Sequence, residues 1–214
     1  MFRDWIPEET KENIYWLTKN PNPNVIPIIE QNFDKIKALD LKWLSENPNA
    51  INLLEQNLDK IDWKWISMNP NAMDLLEQNL DKIYWSWVSM NPNAIHLLKQ
   101  NLDKVSWKWL SSNPNAMDLL EQNLDKIDWS NFSTNPNPNA ISILEQNLDK
   151  IDWSKFSTNP NPNAISILEQ NLDKVDWRLF SSNPNAILIL EQNLDKVNTA
   201  WLCANPNIFT NSSV

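Results

Sequence analysis

Glycine is absent from this chain of 214 residues, where an average globular sequence carries about 7%. That absence excludes the phosphate-cradling loop, the dinucleotide fingerprint and the nucleophile elbow together, because each needs glycine where backbone approaches ligand or turns sharply. Histidine and cysteine occur once each, as His96 and Cys203. One of each cannot compose a zinc site, and any Ser-His or Cys-His catalysis would rest wholly on His96. A lone cysteine also excludes an intramolecular disulfide and fits a reducing compartment. No run approaches the roughly 18–20 apolar residues that span a bilayer. The opening MFRDWIPEETKEN has neither a basic n-region nor an apolar h-region, so no signal peptide is expected. Positive charge is scarce as well: the net charge is −9, a poor starting point for binding phosphate backbones. These absences predict an intracellular protein with no membrane association, no metal or other cofactor and no enzymatic activity, for which nucleic acid is an unlikely partner.

What the chain has instead is repetition. NPNAMDLLEQNLDKI begins at Asn69, and close copies begin at Asn91, Asn113, Asn135, Asn159 and Asn183. The NPN landmark also occurs at Asn20, Asn47 and Asn205. From Asn47 to Asn205 successive landmarks lie 22, 22, 22, 22, 24, 24 and 22 residues apart. Both longer steps arise where NPNA becomes NPNPNA, at Asn135 and Asn159. The 27-residue step from Asn20 contains the same insertion and three further residues within KALDLKWLSE. Periods of this size mark solenoid architecture, in which each unit buries its apolar face only against its neighbours.

Each unit predicts two short helices. Proline suits the opening turn of the first, where its missing N–H leaves no bond unmade, and the flanking asparagines are candidate caps. At 100° per residue Ala72, Met73, Leu75 and Leu76 share one arc while Asp74, Glu77 and Gln78 take the other, an amphipathic pattern. Asn79 is the expected helix stop, in a left-handed conformation. The second helix, drawn from LDKIDWKWISM, is expected to run about two turns, with Asp59 or Asp62 as its N-cap and the next Asn-Pro as its end. Helices this short are unstable alone, so stacking must supply their stability. The expected fold is all-α: an α-solenoid of stacked two-helix repeats of about 22–24 residues with degenerate terminal caps. Its boundaries are an N-terminal half-repeat cap over residues 1–19, tandem repeats over 20–204 and a C-terminal cap or tail over 205–214.

Comparison among the units separates packing positions from candidate binding positions. The first tryptophan of each unit (Trp63, Trp85, Trp107, Trp129, Trp153, Trp177) is constant and reads as packing. The constant Gln78, Asn79, Asp81 and Lys82 read as caps and links between units. Two residues beyond the first tryptophan the column is Trp65, Trp87, Trp109, Asn131, Lys155 and Leu179, too varied for deep burial. Trp65, Trp87 and Trp109 are therefore candidate partner-binding residues, with filling of wider gaps between units as the alternative. The outer positions of the first helix also vary, and Asp74, His96 and Asp118 among them join the candidate set. Paired acids such as Asp74/Glu77 lack the apolar surround that would make them an acid–base pair, and read as a solvated face. Two glycosylation patterns, at Asn131 and Asn211, would be idle in an intracellular chain.

The NPNA…LLEQNLDKIDW…LS unit resembles the short tandem repeats of a largely uncharacterised group of proteins from giant DNA viruses of protists. The resemblance covers residues 20–207, nearly the whole chain. It implies a viral product of the host cytoplasm, or one packaged in the virion, and carries no catalytic residues. The leading functional expectation is a non-enzymatic scaffold for protein–protein interaction along one solenoid face. The alternative is a structural virion component whose partner is capsid protein. Single-stranded RNA binding, one base per unit with Lys64, Lys108, Lys155 and Arg178 as a partial basic stripe, comes last.

Overall fold

The computed structural model describes residues 13–209. The chain divides into two compact units, residues 1–106 and 107–214. Secondary structure among the described residues is helical throughout, and each unit is a stack of helix pairs: an all-α repeat solenoid. Residues 1–12 of the expected N-terminal cap and 210–214 of the C-terminal tail, with the Asn211 glycosylation pattern, lie outside the described residues.

The repeat that opens at Asn47 shows how the sequence builds one layer. Asn47 Oδ1 accepts the backbone N–H of Asn49 at 3.0 Å, and Pro48 fixes the intervening φ, so an Asx turn reverses the chain before the helix. The helix Ile51–Glu55 follows, with Leu53 and Leu54 buried. Its N-cap is Ala50, which offers no side-chain hydrogen bond. Proline and asparagine therefore act one turn earlier than the sequence pattern suggests. The expected arrangement appears only where Pro-Asn is inserted: Pro138 stands in the first turn of the helix Pro138–Glu145, and Asn137 caps it.

Two expectations for the helix ends are corrected. Asn79 and its equivalents are not left-handed, and among the described residues no φ is positive. Asn57 has φ −138° and ψ 48°, and its Nδ2 donates to the carbonyl of Leu53 at 2.8 Å. The side chain thus satisfies the carbonyl that a left-handed turn would have paired through backbone. Asn79, Asn123 and Asn171 do the same for Leu75, Leu119 and Ile167. Because no turn among the described residues needs positive φ, none of them is a position that demands glycine.

The second helix is also shorter than expected. LDK forms a separate 3-10 turn, Leu58–Lys60, and Ile61 is extended (φ −66°, ψ 132°). Only then does a four-residue helix, Trp63–Ile66, begin, capped by Asp62 rather than Asp59. Asp62 Oδ1 accepts from the N–H of Lys64 and of Trp65. The extended residue intervenes because Ile61, like Ile83 and Ile127, must turn into the core, where these side chains are under 10% exposed.

Stacking rests on a ladder of buried asparagines. Asn69 Nδ2 donates to the carbonyls of Ser45 and Asn47, at 2.9 and 3.0 Å, while its Oδ1 accepts from Asn71 N. Every hydrogen-bonding group of the amide is thus engaged, at a site 1% exposed. Aspartate has no donor to offer there, and glutamine is one methylene too long. The neighbouring Asn71 Nδ2 donates to the Pro48 carbonyl at 3.0 Å. In the second unit Asn159 makes the same pair of bonds, to Ser133 and Asn135, across a step longer by two residues. The inserted Pro-Asn therefore lengthens the turn and leaves the ladder in register. A second string runs through serine: Ser67 Oγ donates to the Trp63 carbonyl and accepts the N–H of Tyr84 from the next repeat. Main-chain groups at the layer boundaries within each unit are paired in this way, which is why N, P, N and S recur together.

Candidate interaction face

From Trp63 onward the second helix of each repeat is one turn long, so its four residues divide sharply between core and surface. In the first unit Ile66 and Val88 are fully buried, while Trp65 and Trp87 two columns out are half-buried. Stacking brings those two together, with ring centroids 4.8 Å apart at 66°. Trp43 joins them, 6.3 Å from Trp65 at 31°. Lysines sit over the rings: Lys19 over Trp43 and Lys42 over Trp65, each at 4.1 Å, and Lys64 over Trp87 at 4.9 Å. Each lysine comes from the repeat before the tryptophan it covers, a cation–π contact worth about 0.5–1 kcal/mol at an exposed site. Trp16, 61% exposed, stands edge-on to Tyr15 with Lys19 over both rings.

Trp16 and Trp43 belong to the same column as Trp65 and Trp87 but were missed in the sequence comparison. Counting from the landmark would have found them, since each lies four residues before its NPN, at Asn20 and Asn47. Distance from the first tryptophan was an unreliable ruler, because Ile14 and Leu41 hold that place in those repeats. A cavity of about 270 Å³ opens beside Trp43, lined by Thr18, Lys19, Pro21, Glu46, Asn47 and Pro48. The Trp43 Nε1–H is buried without an acceptor.

The column behaves differently in the second unit. Trp109 is 37% exposed, with Lys108 Nζ 5.4 Å from its centroid. Asn131 is buried, contrary to the expectation that variable residues in this column lie near the surface. A short amide fits under its neighbours and donates to the Lys108 carbonyl at 3.0 Å. Lys155 Nζ then donates to Asn131 Oδ1 at 3.1 Å, so a polar chain replaces the aromatic one. Burial of Asn131, Phe132 and Ser133 also puts that glycosylation pattern out of reach of any enzyme in the folded state.

The constant first tryptophans are half-buried. Trp63 is covered on one face by Lys82 of the next repeat, at 5.0 Å, and the same pairing joins Lys150 to Trp129 and Lys174 to Trp153. Lys82 also donates to Asn79 Oδ1, so two of the constant polar residues link adjacent layers. Gln78 and Asp81 are exposed, and nothing in the structure explains their constancy.

Asp74, His96 and Asp118 are all exposed on first helices. Asp74 lines a polar groove of about 420 Å³ with Asn52, Glu55 and Asn71. His96 Nε2 lies 2.9 Å from Nε2 of Gln100 on its own helix. Trp65 and Trp87 are thus brought into contact, whereas Asp74 and His96 stand on separate repeats with their own neighbours, and Trp109 and Asp118 belong to the second unit. Among the described residues no group of three or more His, Cys, Asp or Glu side chains could hold a metal ion, and no helix is long and apolar enough to cross a membrane. Comparison with protein-family models, curated proteins and solved structures gives no match to this chain.

Proposed function

We propose that this chain is a non-enzymatic repeat scaffold that binds a protein partner along the tryptophan column of its second helices. The observation that carries the reading is the run Trp43–Trp65–Trp87, half-buried and in contact with lysines and with one another. Large aromatic side chains fixed in place lose little entropy on binding, and tryptophan and arginine or lysine stems supply both apolar area and directional polar contact. The buried columns and the asparagine ladder continue past Asn131 and Lys155, so the outer tryptophans add apolar surface that stacking does not require there. The exposed first-helix positions Asp74 and His96 on the first unit, and Asp118 on the second, are weaker candidate contacts taken one by one.

The test is affinity capture from host cells with full-length protein and with a Trp43→Ala, Trp65→Ala, Trp87→Ala variant, both checked for equal helicity by circular dichroism. Partners lost with the variant support the reading, and identical capture by both versions sinks it. Capture abolished by nuclease would favour RNA, and capsid protein retained by both versions would favour a role as a strut in a viral particle.

A further inference from the structure

The outer tryptophan column of the first unit is basic on an acidic chain. Net charge is −9, yet the charged groups laid against these rings are ammonium groups. Lys42 Nζ bridges two successive repeats, 4.6 Å from the centroid of Trp43 and 4.1 Å from that of Trp65. Lys64 Nζ lies 4.9 Å from the centroid of Trp87. Lys64 is exposed and Lys42 half-buried, and among the described residues neither forms an ion pair with a carboxylate.

The acids that the repeat could place beside the rings are replaced or engaged. Glu46 stands three residues beyond Trp43, but the same place holds Met68 beyond Trp65 and Met90 beyond Trp87. Three residues before Trp65, Asp62 Oδ1 accepts the N–H groups of Lys64 and Trp65. Before Trp87 that place belongs to Tyr84, which is 50% exposed and makes no side-chain cap. The helix there forgoes a stabilising aspartate, and the face is spared a negative charge.

This chemistry restricts the occupant. A lysine over the face of an indole takes the surface on which a nucleobase would stack, and a chain of net charge −9 repels a continuous polyanion. A peptide carboxylate needs only one ammonium group, and apolar side chains beside it match the rings and the adaptable methionines.

We propose that the face bearing Lys42, Lys64, Trp65 and Trp87 selects an acidic, extended peptide segment. Its Asp or Glu carboxylates pair with the two ammonium groups while its apolar side chains lie on the tryptophans. This rests on the reading of the column as a protein-binding face and names the chemistry which that face selects. Exposed ion pairs add little affinity, so the rings supply the strength of binding and the lysines the choice of partner.

Panning a random peptide library against the full chain tests this, with fluorescence anisotropy of the selected peptides. Expected is enrichment of Asp and Glu over the input library, and binding that weakens as salt rises. Lys42→Gln with Lys64→Gln keeps the rings and should weaken the selected peptides about tenfold. Lys42→Glu with Lys64→Glu should turn the preference to peptides bearing Lys and Arg. Trp65→Ala with Trp87→Ala should abolish binding, all variants being matched in helicity by circular dichroism. Peptides that need the tryptophans but are no richer in acid than the library overturn the charge assignment and leave the protein-binding face standing. So do peptides that the lysine variants bind unchanged. Failure to select any peptide, or binding indifferent to the tryptophans, overturns both readings. A uridine oligonucleotide that displaces the selected peptides and binds more tightly would give the face to single-stranded RNA, and overturn both as well.

Discussion

The two units spend their aromatic side chains in opposite places. In the first, the one-turn helices read WKWI and WSWV, with an aliphatic residue in the core and tryptophan outside; the second opens on the same pattern, WKWL, and then changes to WSNF, WSKF and WRLF. Phe132, Phe156 and Phe180 are fully buried, each edge-on to its own Trp129, Trp153 or Trp177 at 5.7–6.0 Å. One ring has moved from the outer column to the inner. Every one of these phenylalanines adjoins a repeat with the Pro-Asn insertion, which lengthens the turn beside the enlarged core. The lesson is that the ladder fixes the stacking, while ring placement is free to serve either packing or surface. The first unit keeps its second tryptophans outside, and three successive repeats of the second place a ring inside instead.

Removal of an inner ring should have the largest effect. Phe156→Ala leaves a cavity in a fully buried site and should lower stability by about 3–5 kcal/mol, against clearly less for the half-buried Trp65→Ala. Urea-denaturation midpoints of the two variants would compare them, and equal losses would break the distinction between inner and outer rings. The ladder, by contrast, should not distinguish the units. Asn69→Asp and Asn159→Asp each strip the donor from two buried carbonyls, at roughly 1–3 kcal/mol for each group left unpaired. Their midpoints should fall together; a large difference would show that the insertion weakens the ladder. Transplanting the second unit's choice into the first, as Ile66→Phe, should overfill a core without the longer turn and cost about 1–3 kcal/mol. A neutral result would mean that the insertion has nothing to do with core volume. The smallest effect should come from a cap. Tyr84 replaces the aspartate found at 62, 128, 152 and 176, and the helix Trp85–Val88 has no side-chain cap. Tyr84→Asp should therefore raise thermal stability by about 0.5–2 kcal/mol, and no gain would show that stacking alone sets that helix.

Much of this was legible in the letters. The period, the helical class and the buried columns follow from comparing units, since Leu54, Leu76 and Leu98 recur wherever a layer needs filling. Asp62 as a cap was one of two readings, and geometry chose it because Ile61 has to dip into the core first. The Asn79 stop was found at the right residue with the wrong conformation: sequence shows that a helix ends, but not whether a side chain or the backbone pairs the last carbonyls. Comparing units by distance from the first tryptophan places Trp65 and Trp87 in one column and passes over Trp16 and Trp43, because the longer first step displaces that ruler and leaves the NPN landmark intact.

The sequence by itself determined that this chain repeats, that its units are helical and that they must stack, because segments of four to nine residues cannot hold a helix alone in water. Only the tertiary structure decided why the landmark is NPN. The asparagine amide is satisfied by carbonyls a whole repeat away, at Ser45 and Asn47 for Asn69, and no local propensity records a partner that distant. Tertiary structure decided the outer column too, half-buried at Trp65 and buried at Asn131, because exposure two residues along the helix depends on what the neighbouring layer lays upon it.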